Sequence, residues 1–277
     1  MTTRSLTAAL LVLAAACARV PPATLSRDPS ALLDQVRASQ ARVQRVRGAA
    51  HLRIASPSFS GAVTEFVAAE KPDRVHLETL DFFGTPVAVL VAGDGRFALH
   101  DVRHKVFYRG AATPRNISRL LPFEIPVEEL VTILCGSAPL LPGTPLEVGR
   151  DDGLLLLTLG RGEIGQRLGV GEQAAVSWSR VRRSVPEGSR PADASAGYDL
   201  EFRSFGDKGG ARFPGEVRLD APSSGSRLQL SWGPDVEVNG ALERGLFHLD
   251  PPPGVRVEDL PEEAAAPAPA RPPGGRE

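Results

Sequence analysis

Three stretches of the sequence bring together residue types that could do chemistry. His100-Asp101-Val102-Arg103-His104 spaces two imidazoles by four residues around a carboxylate, the ligand types of a zinc site. On a helix that spacing would align both rings, whereas in an extended strand positions i and i+4 lie about 13 Å apart. The segment reads as a hairpin, so the two rings meet only across a tight turn. Gly160-Arg161-Gly162-Glu163-Ile164-Gly165 spells the glycine pattern of a dinucleotide-binding turn, directly after the apolar run Leu154 to Leu159. Such a turn must open a helix, and Gly169 and Gly171 break any helix there. A glycine-rich hairpin loop is the better account. No G-x-S-x-G nucleophile elbow is present. The remaining histidines, His51, His76 and His248, are scattered and read as solvent-facing strand residues, and the carboxylates read as dispersed over strand exteriors. The sequence thus leads us to expect no catalytic residue, no cofactor and no metal.

The third stretch ends at Cys17. Arg4 supplies a short basic region, and Leu6 to Ala16 then runs without a charge, with only Thr7 polar. About 10 apolar residues cannot cross a bilayer core, which takes about 20 in a helix. Residues 1–16 therefore read as a secretory signal peptide. Ala14-Ala15-Ala16 directly before a cysteine resembles a bacterial lipobox, in which the cysteine is acylated and becomes the first residue of the mature chain. An ordinary A-x-A cleavage site beside an incidental Cys17 is the other reading. One acyl chain holds a protein marginally and two or more hold it stably. Lipidation at Cys17 would leave a membrane-tethered chain that is otherwise soluble. In the sorting rule of two-membrane bacteria an Asp after the cysteine retains the protein in the inner membrane. Ala18 stands there instead, which points to the outer membrane, facing the periplasm.

The elements that must position these residues follow from composition and pattern. The 277 residues carry 32 basic and 33 acidic groups, a net charge of −1, which gives no bulk electrostatic case for nucleic acid as a partner. Cys135 is the second of two cysteines and reads as a buried small hydrophobe. Residues 17–27, with Pro21-Pro22, suit a flexible tether. Asp28-Pro29 reads as an N-cap followed by proline at the first helical position. Leu32, Leu33, Val36, Val43 and Val46 then give an apolar stripe over a helix of about 18 residues ending at Gly48.

From Gly48 the period changes to two. Strands are expected near Ala50–Ile54, Phe59–Ala69, Val75–Thr79, Pro86–Ala92, Arg96–Asp101 and Val106–Tyr108, with a tight Asp-Gly turn at Gly93-Asp94-Gly95. Pro86 to Ala92 is apolar on both faces and needs covering on both sides. Two helical patches interrupt the strands, one opened by Thr113-Pro114 and one by Pro126. Glu128 and Glu129 stand in the first turn of the second, and Gly136 closes it. Pro139, Pro142 and Pro145 argue against regular structure. Strands resume at Leu146–Val148 and Leu154–Leu159, with further runs between Ala175 and Val238. Gly160–Gly171 and Pro186–Gly197 read as insertions, and residues 262–277, rich in Ala and Pro, as a disordered tail. The total is about eleven strands and three helices in one mainly β (α+β) domain over residues 28–261.

In this order of elements the chain resembles the LolA/LolB superfamily of periplasmic lipoprotein carriers, most of all the outer-membrane LolB-like lipoproteins. The residues that carry the resemblance are Val46-Arg47-Gly48, the turn Lys71-Pro72-Asp73-Arg74-Val75, Leu121-Pro122-Phe123-Glu124-Ile125-Pro126 leading to Cys135-Gly136, Val238-Asn239-Gly240, Phe247-His248-Leu249-Asp250-Pro251 and Gly254-Val255. The resemblance implies an open, curved antiparallel half-barrel with helices lidding its concave face. It also implies a cavity that takes acyl chains of lipoproteins or lipids, and possible exchange with a LolA-like periplasmic carrier. A loop after the third strand in that family projects an apolar residue toward the membrane, and Phe82 and Phe83 occupy that place here. Two adjacent Phe at a hairpin tip cannot both face one core, so one is expected to be exposed; the other reading tucks both under the barrel rim.

Two roles follow as expectations. One is a lipid-anchored protein that binds acyl chains non-covalently in outer-membrane lipoprotein localisation. The other is a structural or assembly lipoprotein of the envelope that holds a protein partner without carrier activity. A Cys17→Ser variant should be released in soluble form and should incorporate no radiolabelled palmitate; membrane retention of that variant would rule out lipidation at Cys17.

Overall fold

The computed structural model describes residues 24–183 and 195–260. The signal segment 1–16, Cys17, tether residues 17–23, most of the 186–197 loop and the tail 262–277 lie outside the described residues.

Asp28 caps α1 (Pro29–Ala41) by accepting from the Ala31 amide at 2.8 Å, with Pro29 at the first helical position. The helix stops at Ala41, well short of Gly48. Val46 lies instead in β1 (Arg45–Ala55), where Arg45 and Val46 pair with Glu70 and Ala69 of β2 (Ser60–Glu70). A buried Val43 and Val46 satisfy a helical stripe and a strand start equally well. Strand pairing decides between them, and Asn239 fixes the break. Its Oδ1 accepts from the Gln44 amide at 2.8 Å, and its Nδ2 donates to the Arg42 carbonyl at 2.7 Å.

A meander follows through β3 (Arg74–Leu80), β4 (Pro86–Gly93), β5 (Arg96–Asp101) and β6 (Val106–Ala111). The β4–β5 turn is the two-residue Asp94-Gly95, with φ of 51° and 74°, the positive values whose twist suits a hairpin. The chain then forms the short α2 (Pro114–Ile117), capped by Thr113, and α3 (Val127–Leu134), and returns as β7 (Thr144–Asp151) and β8 (Leu154–Arg161). β9 (Ile164–Val170), β10 (Val176–Arg183), β11 (Ser195–Lys208), β12 (Ala211–Ala221), β13 (Ser226–Trp232), β14 (Glu237–Val238) and β15 (Arg256–Asp259) complete it.

The strand order is β15-β6-β5-β4-β3-β2-β1-β13-β12-β11-β10-β9-β8-β7, with β14 pairing beside the start of β1. Every pairing is antiparallel except that of β15 with β6. The sheet is an open, unclosed half-barrel with β7 and β15 at its edges, and helices lie over its concave face: α1 on β7 and β8, α3 on β2 and β3. The described residues hold fifteen strands, more than the about eleven read from alternation and turn signals. Gly160–Gly171 contains a regular strand of the sheet and is not a glycine-rich loop alone. Gly162 (φ 59°) turns β8 into β9, whose Gln166, Leu168 and Val170 face the core. Gly169 lies flat under the Trp178 indole, where an added Cβ would come 2.2 Å from Nε1. Pro145 sits inside β7, which an edge strand tolerates because one side of its ladder has no partner among the described residues.

β4 is covered on both faces. Leu90 and Ala92 face the concave side, while the turn Arg244–Phe247 packs on β3 and β4 from outside and its Leu246 carbonyl bonds to His76 Nδ1 at 2.8 Å. His76 is therefore buried, not solvent-facing. Cys135 is buried at the C-terminus of α3, and desolvation pushes its thiol up to about 12, with Lys71 opposing. It is a packed side chain and not a reactive one. Gly136 ends α3 with φ +73°, and a Cβ there would lie 2.6 Å from Pro214 Cδ and 3.0 Å from the Phe213 ring. Gly136→Ala combines a left-handed penalty with overpacking, so urea unfolding should show a loss of about 2–4 kcal/mol.

Candidate functional site

On the concave face the side chains of neighbouring strands fall into rows. Val217 (β12), Leu230 (β13), Leu52 (β1) and Val63 (β2) are successive partners across four strands. Leu219, Leu228 and Ile54 form the adjacent row. Above them lie the connection Ser118–Phe123 and the Leu130, Ile133 and Leu134 stripe of α3. Roof and floor do not meet everywhere. They enclose an apolar cavity of about 370 Å³, within the usual range for small-molecule sites of about 300–1,000 Å³. A more polar hollow of about 540 Å³ adjoins it and shares Ser118, Leu121, Pro122 and Phe123.

The roof is held by specific polar contacts. The Tyr198 hydroxyl on β11 donates to the Glu129 carboxylate of α3. Ser226 Oγ, at the start of β13, donates to the Pro122 carbonyl at 3.1 Å. Arg119 lays its guanidinium over the Tyr108 ring, 4.8 Å from the centroid. The cavity reaches the rim at Ser56, Ser58 and Phe59 in the β1–β2 turn, and the Phe59 ring is 49 % exposed.

The β3–β4 turn stands at the same end of the sheet, as the antiparallel registers of β1, β2, β3 and β4 require. Asp81 builds it: Oδ1 accepts from the Phe83 amide at 2.8 Å and the Thr85 amide at 2.9 Å, and Gly84 takes φ +78°. The two aromatic side chains are thereby turned outward. Phe82 is 96 % and Phe83 87 % exposed, their rings 5.5 Å apart edge to face. Both are exposed, not one. Two neighbouring Phe held in solvent cost hydrophobic free energy, and among the described residues only their contact with each other offsets it.

One carboxylate does not lie on a strand exterior. Glu65 on β2 takes its place in the apolar line Val63–Glu65–Val67, lines the cavity and is 4 % exposed. Its partner across the β2–β3 ladder is Thr79, whose Oγ1 donates to Glu65 Oε1 at 2.6 Å. Oε2 is buried with no hydrogen-bond partner among the described residues. Burial raises the carboxyl from its ordinary 4.5 to about 7; the Thr79 hydrogen bond opposes the rise and the nearby Glu78 charge adds to it. The period-two pattern contains the signal, since Glu65 is the charged member of an otherwise apolar in-facing line. Gln166 shows the usual alternative. It is also buried on the concave face, yet its amide donates to Pro139 and Ser179 and accepts from Leu141, so it is fully bonded.

The other sequence candidates separate. Asp101 accepts from the His104 amide at 3.0 Å and meets its ring Nδ1 at 2.7 Å, while His100 packs near Phe107. This is a turn cap and not a ligand set, and no group of three or more metal-ligating side chains occurs among the described residues. The glycine run is the β8–β9 hairpin. Cys17 lies outside the described residues. Among those residues no helix is long and apolar enough to cross a membrane.

No protein-family model matches the sequence, and no curated protein matches it. Solved structures share the fold at low identity. A DUF1329 family protein from Desulfovibrio piger aligns over 80 % of this chain and 98 % of its own, with 12 % identity and a TM-score of 0.55. A domain described as an outer membrane lipoprotein-sorting protein from Vibrio parahaemolyticus gives 79 % and 97 %, 11 % identity and 0.52. A LolA superfamily protein from Nitrosomonas europaea gives 81 % and 99 %, 10 % identity and 0.52. The chain has a LolA/LolB-like fold.

The raised Glu65 carboxyl makes stability depend on pH. The folded protein holds this proton more tightly than the unfolded chain does. The group's contribution is therefore most favourable below about 4.5 and is lost as pH rises through about 7. Relative to Glu65→Gln, the wild-type unfolding free energy should fall by up to about 3 kcal/mol between pH 4.5 and pH 8, measured by urea titration at both ends.

Proposed function

We propose that this chain is an envelope lipoprotein that binds acyl chains of lipoproteins or lipids non-covalently in the cavity under α3. The observation that carries this reading is the cavity itself. It is walled mainly by Leu, Ile, Val and Phe, open at one rim and not filled by the protein's own side chains. Predominantly apolar space of this kind is favourable for hydrocarbon and unfavourable for water. The LolA/LolB-like fold supports the same reading.

In this reading, acylation at Cys17 anchors the chain to the outer membrane on its periplasmic side. Phe82 and Phe83 enter the bilayer surface beside the cavity mouth, and a LolA-like periplasmic carrier is the partner that delivers cargo. The role is binding and transfer, with no covalent step. The alternative, a structural or assembly lipoprotein holding a protein partner, draws on a different place: the edge strand β7, where Leu146 is exposed and one side of the ladder has no partner among the described residues.

Mass spectrometry of organic extracts from the purified chain should find bound acyl lipid, and Phe82→Ala with Phe83→Ala should lower liposome affinity at least tenfold, given about 1.5–3 kcal/mol for each buried Phe. Extracts without lipid together with unchanged liposome binding would remove this reading in favour of the protein-partner role.

A further inference from the structure

Within the cavity Glu65 is the acid, and its placement says which part of a ligand it meets. Thr79, which holds its Oε1, is two residues from Asp81, the first residue of the β3–β4 turn. Two residues of strand span about 7 Å. The Glu65–Thr79 pair thus sits just inside the rim that carries Phe82 and Phe83, while Val67 and Leu77 continue the wall inward. A chain inserted from this rim puts its tail against Val67 and Leu77 and its head beside Glu65.

The hydrogen-bond assignment defines the head. Because Oε1 accepts from Thr79, it is the carbonyl-type oxygen of the neutral acid, and the proton belongs on Oε2. Oε2 is the buried atom without a hydrogen-bond partner among the described residues, on a side chain that lines the cavity. An O–H donor there lacks an acceptor, and a buried group left in that state costs stability until a ligand supplies one. On this basis, and resting on the acyl-binding reading above, we infer that Glu65 is a specificity residue: it donates to the ester or amide carbonyl at the head of an acyl chain and disfavours free fatty-acid anions.

The discrimination is electrostatic. A fatty-acid carboxylate against Glu65 places two acids in one apolar site, where both cannot ionise. An ester or amide carbonyl accepts the same hydrogen bond with no charge to bury. The charges around Glu65 do not reverse this. Glu78 on β3 adds to the repulsion of anions, and the Arg119 guanidinium in the roof is stacked on Tyr108. β1 and α3 face the cavity with apolar side chains, among them Leu52 and Leu130.

The test uses the full chain carrying Cys17→Ser, so that its own acyl group cannot compete, with the uncharged fluorophore N-phenyl-1-naphthylamine as the cavity probe. Monopalmitoylglycerol and palmitate are titrated as displacers at pH 6 and pH 8. The ester should displace the probe at least about tenfold better than palmitate at pH 6, because the anion has a charge to bury. At pH 8, where Glu65 ionises, ester binding should weaken as the donor is lost, and palmitate should gain nothing on the ester. Glu65→Gln, whose amide N–H replaces the acid O–H, should keep ester binding and lose the pH dependence. Glu65→Leu should still bind probe and lose the preference. Probe binding with an unchanged preference in Glu65→Leu overturns this inference alone. Absence of probe binding to the parent chain overturns the acyl-binding reading and this inference with it.

Discussion

A curved sheet that never closes must have its concave face covered by something other than its own strands, and the rest of this structure follows from that constraint. In a closed barrel the interior side chains meet each other across the axis. Here β15 and β7 end the sheet on either side, and the face between them is roofed by α1, α3 and the connection before α3. α1 lies over β7 and β8 and fills that half with Leu32, Leu33 and Val36. α3 is an eight-residue helix. It is too short to fill the half over β1, β2 and β3, and the cavity is the space it leaves.

That space is kept open by contacts at its margins. Tyr198 to Glu129 and Ser226 to the Pro122 carbonyl hold the roof to the sheet from one side, and Gly136 lets β12 pass close under the end of α3. None of these contacts reaches into the middle. Leucine and valine rows below and the α3 stripe above face each other without interdigitating, so dispersion contacts are forgone there and a ligand of hydrocarbon would restore them. Glu65 is the polar exception. Among the described residues two buried side-chain atoms lack a hydrogen-bond partner, Glu65 Oε2 and Trp232 Nε1, whereas Gln166 is fully bonded, and Glu65 is the acid that lines the cavity.

The convex side solves a second problem of open sheets. β4 is apolar on both faces, and the chain returns after β14 to pack the Arg244–Phe247 turn on it. β15 then pairs with β6 in parallel, with Arg109 bound to Asp259 at 2.6 Å, and shortens the exposed edge to four residues. The opposite edge, β7, has no such cover among the described residues.

Local features of this protein were legible in the sequence because they depend on neighbours in the chain. Asp28-Pro29 starts a helix, Asp94-Gly95 turns a hairpin, Gly136 ends α3, and alternation marks most strands; each is set by backbone sterics or by a hydrogen bond a few residues long. The outward pair Phe82-Phe83 was half legible: the hairpin tip was evident, but not that Asp81 would bond to two amides and expose both rings. Where two local patterns agreed on burial, as at Val43 and Val46, pairing with β2 and β14 ended the helix early. β9 and β15 were hidden because glycine-rich or short segments become strands only when a neighbouring strand offers its ladder. The burial of Glu65 and the cavity beside it belong to tertiary structure alone. Alternation can say that residue 65 faces inward, but only the packing of five strands under a short helix decides that side chains do not fill this interior and that Glu65 Oε2 has no hydrogen-bond partner among the described residues.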